Sequence, residues 1–593
     1  MTNTTVTTES TPVNTALIPL PVNVARALTA VGGLATAASA YLAWTWTSDF
    51  PGDLTYYGAP AGVQWLTFVA GLLTLLFSLS GYSVKGLRWL ASQTTAPLLI
   101  SSLGGLAVTW YSLGAIAVEL GGLANLTTGG TIAGVAALIP VIGALGLPKA
   151  DTAPDGGGLK ARLAAYTAKL DRTTPRTQVP AWQQRAIITL AIAVGLSVFT
   201  YGIDSYTETF IGFLIVVGFG AWALHAAGIL ERFSALTATH RGFSTVLAFA
   251  AAAVFPFTQN NDHNANLGVN ILIFGTVALG LNIVVGLTGL LDLGYVAFLG
   301  VGAYAAALVS GSEYSVFSGT TFPFWAAALT GAGASLVFGV LIGAPTLRLR
   351  GDYLAIVTLG FGEIFRIAVN NLDGVSGPKI TNGPAGIPGI PDLTIFGFNL
   401  GNSHAFGGFT IGRFANYFFL MLVITAIVIV IFTRAADSRI GRAWVAIRED
   451  ETAATAMGIN GFRVKLVAFA LGASLAGLAG TVSAHVTYNV VPNPYQFAGA
   501  APPNSAFLLA AVVLGGMGTV SGPLLGAALL YLIPEKLQFL QNYELLAFGV
   551  ALVILMRFRP EGVIANKRRQ LEFHEAEEPA TPAEPAAPAT AGV

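Results

Sequence analysis

Two apolar runs separated by a basic step constrain this chain more than any other feature. NILIFGTVALGLNIVVGLTGLLDLGYVAFLGVGAYAAALV occupies 270–309, Pro-Thr-Leu-Arg-Leu-Arg-Gly-Asp occupies 345–352, and YLAIVTLGFGEIFRIAV follows at 353–369. Charges fall between lipid-length segments and almost nowhere inside them. Glu363 and Arg366, three residues apart within a run, are the exception. A chain so patterned folds in a bilayer, and its few intramembrane ionic groups are where function is sought first.

Composition agrees. The 593 residues are 54% hydrophobic and only 10% charged, against roughly 25% charged in soluble domains. The 70 glycines are scattered through Leu-, Ile-, Val- and Phe-rich runs, which suits close helix packing in lipid rather than a low-complexity chain. Basic and acidic residues balance at 29 each, so nothing favours nucleic acid or an acidic substrate. Without cysteine the chain has no disulfide, thiolate metal site or Cys nucleophile.

A crossing needs about 20 apolar residues. The expected fold is all-α, a polytopic bundle of about 16 spans, short or re-entrant ones included: 24–46, 62–80, 97–118, 131–147, 186–203, 209–230, 242–257, 267–288, 294–309, 323–345, 353–371, 417–433, 464–485, 504–517, 520–534 and 542–557. The pair at 504–534 also reads as one re-entrant hairpin. Alternate connections are basic, from Lys85 and Arg88 to Arg557 and Arg559. The intervening ones carry acids or little charge, which places both termini in the cytoplasm. The absence of Lys or Arg before the first run argues against a cleaved signal peptide.

The expected organisation has a polar tail over 1–23, four spans over 24–147 and a cytoplasmic linker over 148–185. Two further spans over 186–241, a permease domain over 242–565 and a disordered Ala/Pro/Glu-rich tail over 566–593 follow. Within the linker, Leu159, Leu163, Tyr166 and Leu170 share a helical face beside Lys160, Arg162 and Lys169. That pattern suits a helix lying on the membrane or a partly ordered linker.

Four patterns carry chemistry or packing. Gly331, Ser335, Gly339 and Gly343 recur every four residues, as do Gly472, Ala476 and Gly480. Each set makes a flat stripe, for static packing or for helices that slide during transport. Glu363 and Arg366 form an intrahelical ion pair or line a path; with Asn282 and Asp292 they are the candidates for the translocation path. The segment after 433 reads SRIGRAWVAIREDETAATAMGIN. It predicts a helix over 440–458 with Ile440, Trp444 and Ile447 on one face and Arg448, Glu449, Asp450 and Glu451 as a charged edge, stopped by Gly458. Its two alternatives are a peg for a protein groove and a solvated helix resting on lipid. The connection 372–416 is Gly/Pro-rich, a semi-rigid platform or a cover. No P-loop, metal-ligand spacing or nucleophile elbow occurs, so enzyme readings have little support and no cofactor is expected on this chain.

GLNIVVGLTGLLDLGYVAFLGVGAY, APTLRLRGDYLAIVTLGFGEIFRI, NGPAGIPGIP, RIGRAWVAIREDETAATAMGIN and VVLGGMGTVSGPLLGA follow in order from 280 to 527. Together these blocks resemble the LivM-type permease subunits of ABC importers for branched-chain amino acids, a likeness running from about 243 to 565. The resemblance implies a multi-pass protein of the cell membrane. It would work with a second homologous permease, two cytoplasmic ATPase subunits that hold ATP and Mg, and an extracytoplasmic substrate-binding protein facing the 372–416 loop. It also implies that Arg442, Trp444, Arg448, Glu449, Asp450, Glu451, Ala453, Ala454 and Gly458 form the coupling helix. Ala453, Ala454 and Gly458 keep the spacing of a Glu-Ala-Ala-x-x-x-Gly signature, with Thr452 between Glu451 and Ala453. Related permeases for urea or short amides are the neighbouring alternative. From other classes, an ion-coupled secondary transporter would use Glu363 as its ion site, and a receptor or scaffold would act through its N-terminal spans.

Overall fold

A computed structural model describes residues 17–45, 62–82, 90, 94–119, 122–147, 180–259, 261–349, 352–406, 409–499, 502–537 and scattered positions between 543 and 564. The linker helix around Leu159–Leu170, most of the 542–557 span and the C-terminal tail lie outside the described residues. The chain divides into two compact units, residues 1–260 and 261–593.

The first unit contains α1 (Val22–Ser39), α2 (Val63–Gly81), α3 (Ala96–Glu119), α4 (Thr128–Ala136), α5 (Leu138–Leu145), α6 (Ala181–Asp204), α7 (Thr207–Ala226), α8 (Ile229–Thr239) and α9 (Arg241–Val254). Helices α1 and α2 touch through glycine: a methyl group added to Gly71 would stand 2.6 Å from the Ala37 nitrogen. One pair of buried hydroxyls meets across this contact, Thr29 Oγ1 and Ser78 Oγ lying 2.9 Å apart. Only 17% of the apolar window of α6 is buried, and 6% of that running from α9 through Thr258. Faces so apolar and so open suit hydrocarbon, where a helix satisfies its mid-span backbone groups by its own hydrogen bonds.

The second unit is built around α10 (Asp262–Asn282), which continues as a π turn over Ile283–Leu287; 89% of its apolar window is buried. The Asn261 side chain starts it by accepting from His263 N at 3.0 Å. Next come α11 (Val296–Leu308), α12 (Phe324–Thr346), α13 (Asp352–Asn371), α14 (Arg413–Asp437), α15 (Arg439–Glu449), α16 (Glu451–Ala456), α17 (Gly461–Thr487), α18 (Ser505–Gly515) and α19 (Ser521–Lys536). Three short antiparallel pairings decorate the loops: Ile387–Pro388 with Asn489–Val490, Thr394–Ile395 with Phe398–Asn399, and His404–Phe406 with Phe409–Ile411.

Helices α18 and α19 pack on each other and on α10. Their turn reaches Asn282, while Glu535, near the far end of α19, lies 3.5 Å from His263 at the start of α10. The pair is therefore a hairpin running alongside α10. The fold is the expected helical membrane bundle. Eleven helices among the described residues are long and apolar enough to cross a bilayer. Of the other expected spans, α1 is diluted by Ala, Thr and Gly, α11, α18 and α19 are short, and 542–557 is mostly undescribed.

Helices α11, α12 and α17 meet where Gly302, Ser335 and Gly477 touch, with Ser335 Oγ donating to Phe298 O at 2.8 Å. A Cβ on Gly302 would fall inside the backbone of Gly477. Gly302→Val is therefore expected to destabilise the chain by at least ~1–3 kcal/mol, seen as a lower melting point of the detergent-extracted protein. Gly333→Ala, on the same α12 but with nothing among the described residues within 4 Å of the new methyl, is expected to hold or raise it.

Candidate functional site

The charged segment after α14 folds as two helices, not the single 440–458 helix expected. Ser438 caps α15, accepting from Gly441 N at 3.1 Å. Trp444 and Ile447 are buried, and Trp444 Nε1 donates to Val464 O at 2.9 Å, which holds α15 against the start of α17. Ile440 is not on that face: it is exposed. The break comes at Asp450, whose carboxylate accepts from Thr452 N at 2.7 Å and Ala453 N at 3.0 Å and so starts α16. Gly458, at φ +88°, follows the end of α16 in the left-handed region that glycine adopts without strain.

The charged edge is not one surface. Glu451 lies 2.7 Å from the ammonium of buried Lys465, a partner that no local spacing signals. Arg442 is exposed and donates to Asp437 O at 3.2 Å. Arg448 points inward: its Nη1 donates to Gly286 O at 2.6 Å, and its aliphatic stem fills the space above Gly289. Glu449, Thr452, Ala453, Thr455, Ala456 and Met457 remain exposed, while Ala454 is buried. The turn thus offers a small, flat, mostly uncharged face centred on Ala453.

Arg448 connects this turn to the core. Gly286 belongs to the π turn, and Asn282, one turn earlier, is fully buried. Its Oδ1 accepts from Gly518 N at 2.8 Å and its Nδ2 donates to Thr519 O at 2.7 Å. Asn282 therefore fastens the α18–α19 turn to α10. Beyond the π turn, Asp292 is buried with Oδ1 accepting from Gly294 N at 3.0 Å, while its Oδ2 has no hydrogen bond among the described residues. Ser505, at the start of α18, accepts from Val296 N at 3.1 Å, so the first residues of α11 and α18 touch.

The mid-span pair is formed. Arg366 Nε lies 2.8 Å from Glu363 Oε2, and both side chains are about a third exposed. Glu363 Oε1 also accepts from Phe497 N at 3.3 Å. Phe497 belongs to a non-helical stretch between α17 and α18. Two residues earlier, Tyr495 packs among Tyr304 and Phe365 with ring centroids 6.1 and 6.2 Å away. Non-helical backbone persists beside spanning helices only where protein or water covers it.

The small-residue stripes do not face each other. Gly331, Ser335, Gly339 and Gly343 lie on α17 at Thr481, Gly477, Ala473 and Leu466; a methyl on Gly339 would stand 2.7 Å from Ala473 Cβ. Gly472 instead meets Gly280 of α10, Gly480 meets Leu299 of α11, and Ala476 is buried in the same core. Besides the stripe legible in the sequence, α17 carries a second, Ala473–Gly477–Thr481, which faces α12.

In the 372–412 loop, Asp392 accepts from Arg413 Nε and Tyr417 OH at 2.9 Å and from Tyr488 OH at 3.1 Å. The Arg413 guanidinium lies 3.6 Å over the Tyr488 ring. These contacts pin the loop to the end of α17 and leave Phe396, at the tip of the 394–399 hairpin, fully exposed.

Comparison with known proteins bears on this arrangement. Residues 264–556 match the family model described as the permease component of branched-chain amino acid transport systems. The chain is 39% identical over 358 residues to the high-affinity branched-chain amino acid transport system permease protein LivM of Escherichia coli K12, covering 58% of this chain and 79% of that protein. It is 38% identical over 370 residues to the LivM of Salmonella typhimurium, covering 60% and 82%. The LivH permease protein of the same Escherichia coli strain is 25% identical over 312 residues, covering 52% and 95%. No solved structure gives a significant match.

Proposed function

The chain belongs to the family of branched-chain amino acid transport permeases, and from that membership we propose that it is the permease subunit of an ATP-driven importer for leucine, isoleucine and valine. Its relatives are named as transport permease proteins. In this reading a second homologous permease completes the path, and two cytoplasmic ATPase subunits bind and hydrolyse ATP with Mg. A substrate-binding protein delivers cargo to the 372–412 side. Both termini and the α15–α16 turn are placed in the cytoplasm in this reading, which the alternation of basic connections supports.

The observation that carries the reading is the Arg448–Gly286 hydrogen bond. It joins an exposed turn to the buried break after α10, and through Asn282 to the α18–α19 hairpin. A conduit powered from outside itself needs such a link. Nucleotide-driven closure of the ATPase must bias the path between two access states, and a swing from 1:99 to 99:1 takes about 5.5 kcal/mol of differential binding. A turn held to the core by one charge-assisted bond and a buried tryptophan can transmit that bias.

The test is uptake into proteoliposomes holding the assembled importer. Radiolabelled leucine is expected to accumulate only with ATP and the binding protein present, and to be displaced by isoleucine and valine but not by urea or short amides. Accumulation by this chain alone, driven by membrane potential, would replace the proposal with ion-coupled transport.

A further inference from the structure

Four ion pairs occur among the described residues. Three stand at helix ends or in loops: His263 with Glu535, Asp392 with Arg413, and Glu451 with Lys465. Glu363–Arg366 occupies the middle of α13, with Glu363 about 16 Å along the axis from Asp352 at 1.5 Å per residue. Its exposure settles what it faces. A packed structural pair would be covered, yet each of these side chains is about one third open. Hydrocarbon is equally unsuitable, since ionised side chains at mid-bilayer are costly and face a bundle interior or water. One turn earlier, a methyl on Gly360 would meet nothing within 4 Å among the described residues, so the open space extends along the helix. Ile364 and Ile367 border it, both exposed.

The hydrogen-bond inventory of the pair is incomplete in a particular way. Arg366 meets Glu363 through Nε alone. Its two terminal nitrogens have no partner among the described residues, which leaves free the planar edge that grips a carboxylate with two parallel bonds. Glu363 accepts from Arg366 and from Phe497 N, and a carboxylate has about four lone-pair sites, so room remains for an ammonium. The net charge of the pair is zero. A free cation or a free anion would satisfy one member and leave the other uncompensated. A zwitterion satisfies both.

Building on the importer reading above, we propose that Glu363 and Arg366 are the recognition pair for the backbone of the amino acid in transit. The α-carboxylate docks on the terminal nitrogens of Arg366, the α-ammonium on Glu363, and the branched side chain lies along Ile364 and Ile367. The Phe497 N–H holds the Glu363 carboxylate in place.

Two variants of the full importer in proteoliposomes test this, read by ATP-driven leucine uptake and by stimulation of the ATPase by loaded binding protein. The double variant Glu363→Gln with Arg366→Gln removes both charges, so a merely structural pair would be dispensable. Recognition instead predicts a loss of uptake of at least ~30-fold, the scale of losing charge-assisted hydrogen bonds, with ATPase stimulation retained. Arg366→Lys keeps the ion pair but lacks the two-pronged edge, and is expected to lose about 10-fold. Uptake within twofold of wild type in either variant, or a parallel loss of ATPase stimulation in both, would overturn the assignment. Absence of ATP-driven uptake by the wild-type importer would instead remove the importer reading itself.

Discussion

Ala453→Arg is expected to lower ATP-driven leucine uptake by at least ~100-fold while the amount of chain in the membrane stays unchanged. Ala453 is exposed in the first turn of α16, three residues after the Asp450 cap, with buried Ala454 next to it and Met457 standing out at 84% exposure. No described contact of this chain depends on the Ala453 methyl, so arginine there should not disturb the fold. Pressed against a partner, the same site is the centre of a small desolvated patch with an adaptable methionine beside it. Truncations at such centres cost 2 kcal/mol or more, and a buried unpaired guanidinium costs at least as much. Co-purification of the ATPase with the tagged chain should fall in step with uptake. Normal uptake with normal co-purification would show that the α16 face does not dock the ATPase.

The neighbouring acids make a poorer probe than their sequence suggests. Asp450 starts α16 through two backbone N–H groups, and Glu451 neutralises buried Lys465. Removing either disturbs the turn itself. Replacing Glu449, Asp450 and Glu451 together would confuse docking with folding; Glu449 alone is exposed and free of these duties.

These distinctions follow from what a sequence can carry. Lipid-length runs such as 62–80 and 353–371 match helices Val63–Gly81 and Asp352–Asn371 within a residue or so, because hydropathy and helix length are set by the same bilayer. The Glu363–Arg366 pair was legible because three residues along a helix places two side chains together. The Arg448–Gly286, Asn282–Gly518 and Glu363–Phe497 contacts were not, since each joins elements more than 100 residues apart and one partner is backbone, which has no residue signature. The split of the charged helix at Asp450 was readable from the N-cap preference of aspartate, but the run of helix-forming residues on both sides hid it. The break before α11 was legible by contrast: the expected spans 267–288 and 294–309 part where Gly289, at φ +71°, and buried Asp292 interrupt the apolar run.

Arg448→Ala should separate docking from transmission. The ATPase is expected to co-purify normally, because Arg448 points away from the Ala453 face toward the π turn. Uptake, however, should fall about 10- to 100-fold. A charge-assisted hydrogen bond contributes about 1.5–3 kcal/mol, and its loss strands the Gly286 carbonyl in a buried site. ATPase stimulation by loaded binding protein should fall with uptake, since the signal from the core to the α15–α16 turn crosses the same Arg448–Gly286 contact. Arg448→Lys, which can donate one bond from a shorter-reaching point charge, is expected to lie between alanine and wild type. Gly289→Ala makes a second probe from the other side: a methyl there would stand 2.9 Å from Arg448 Cγ at a left-handed φ of +71°, and should reproduce part of the Arg448→Ala defect without touching the turn. Full uptake and full stimulation in Arg448→Ala would mean that the force enters the bundle elsewhere, through the Trp444 contact with the start of α17, and Trp444→Phe, which keeps an aromatic ring, though a smaller one, without the indole N–H, would then be the variant that uncouples.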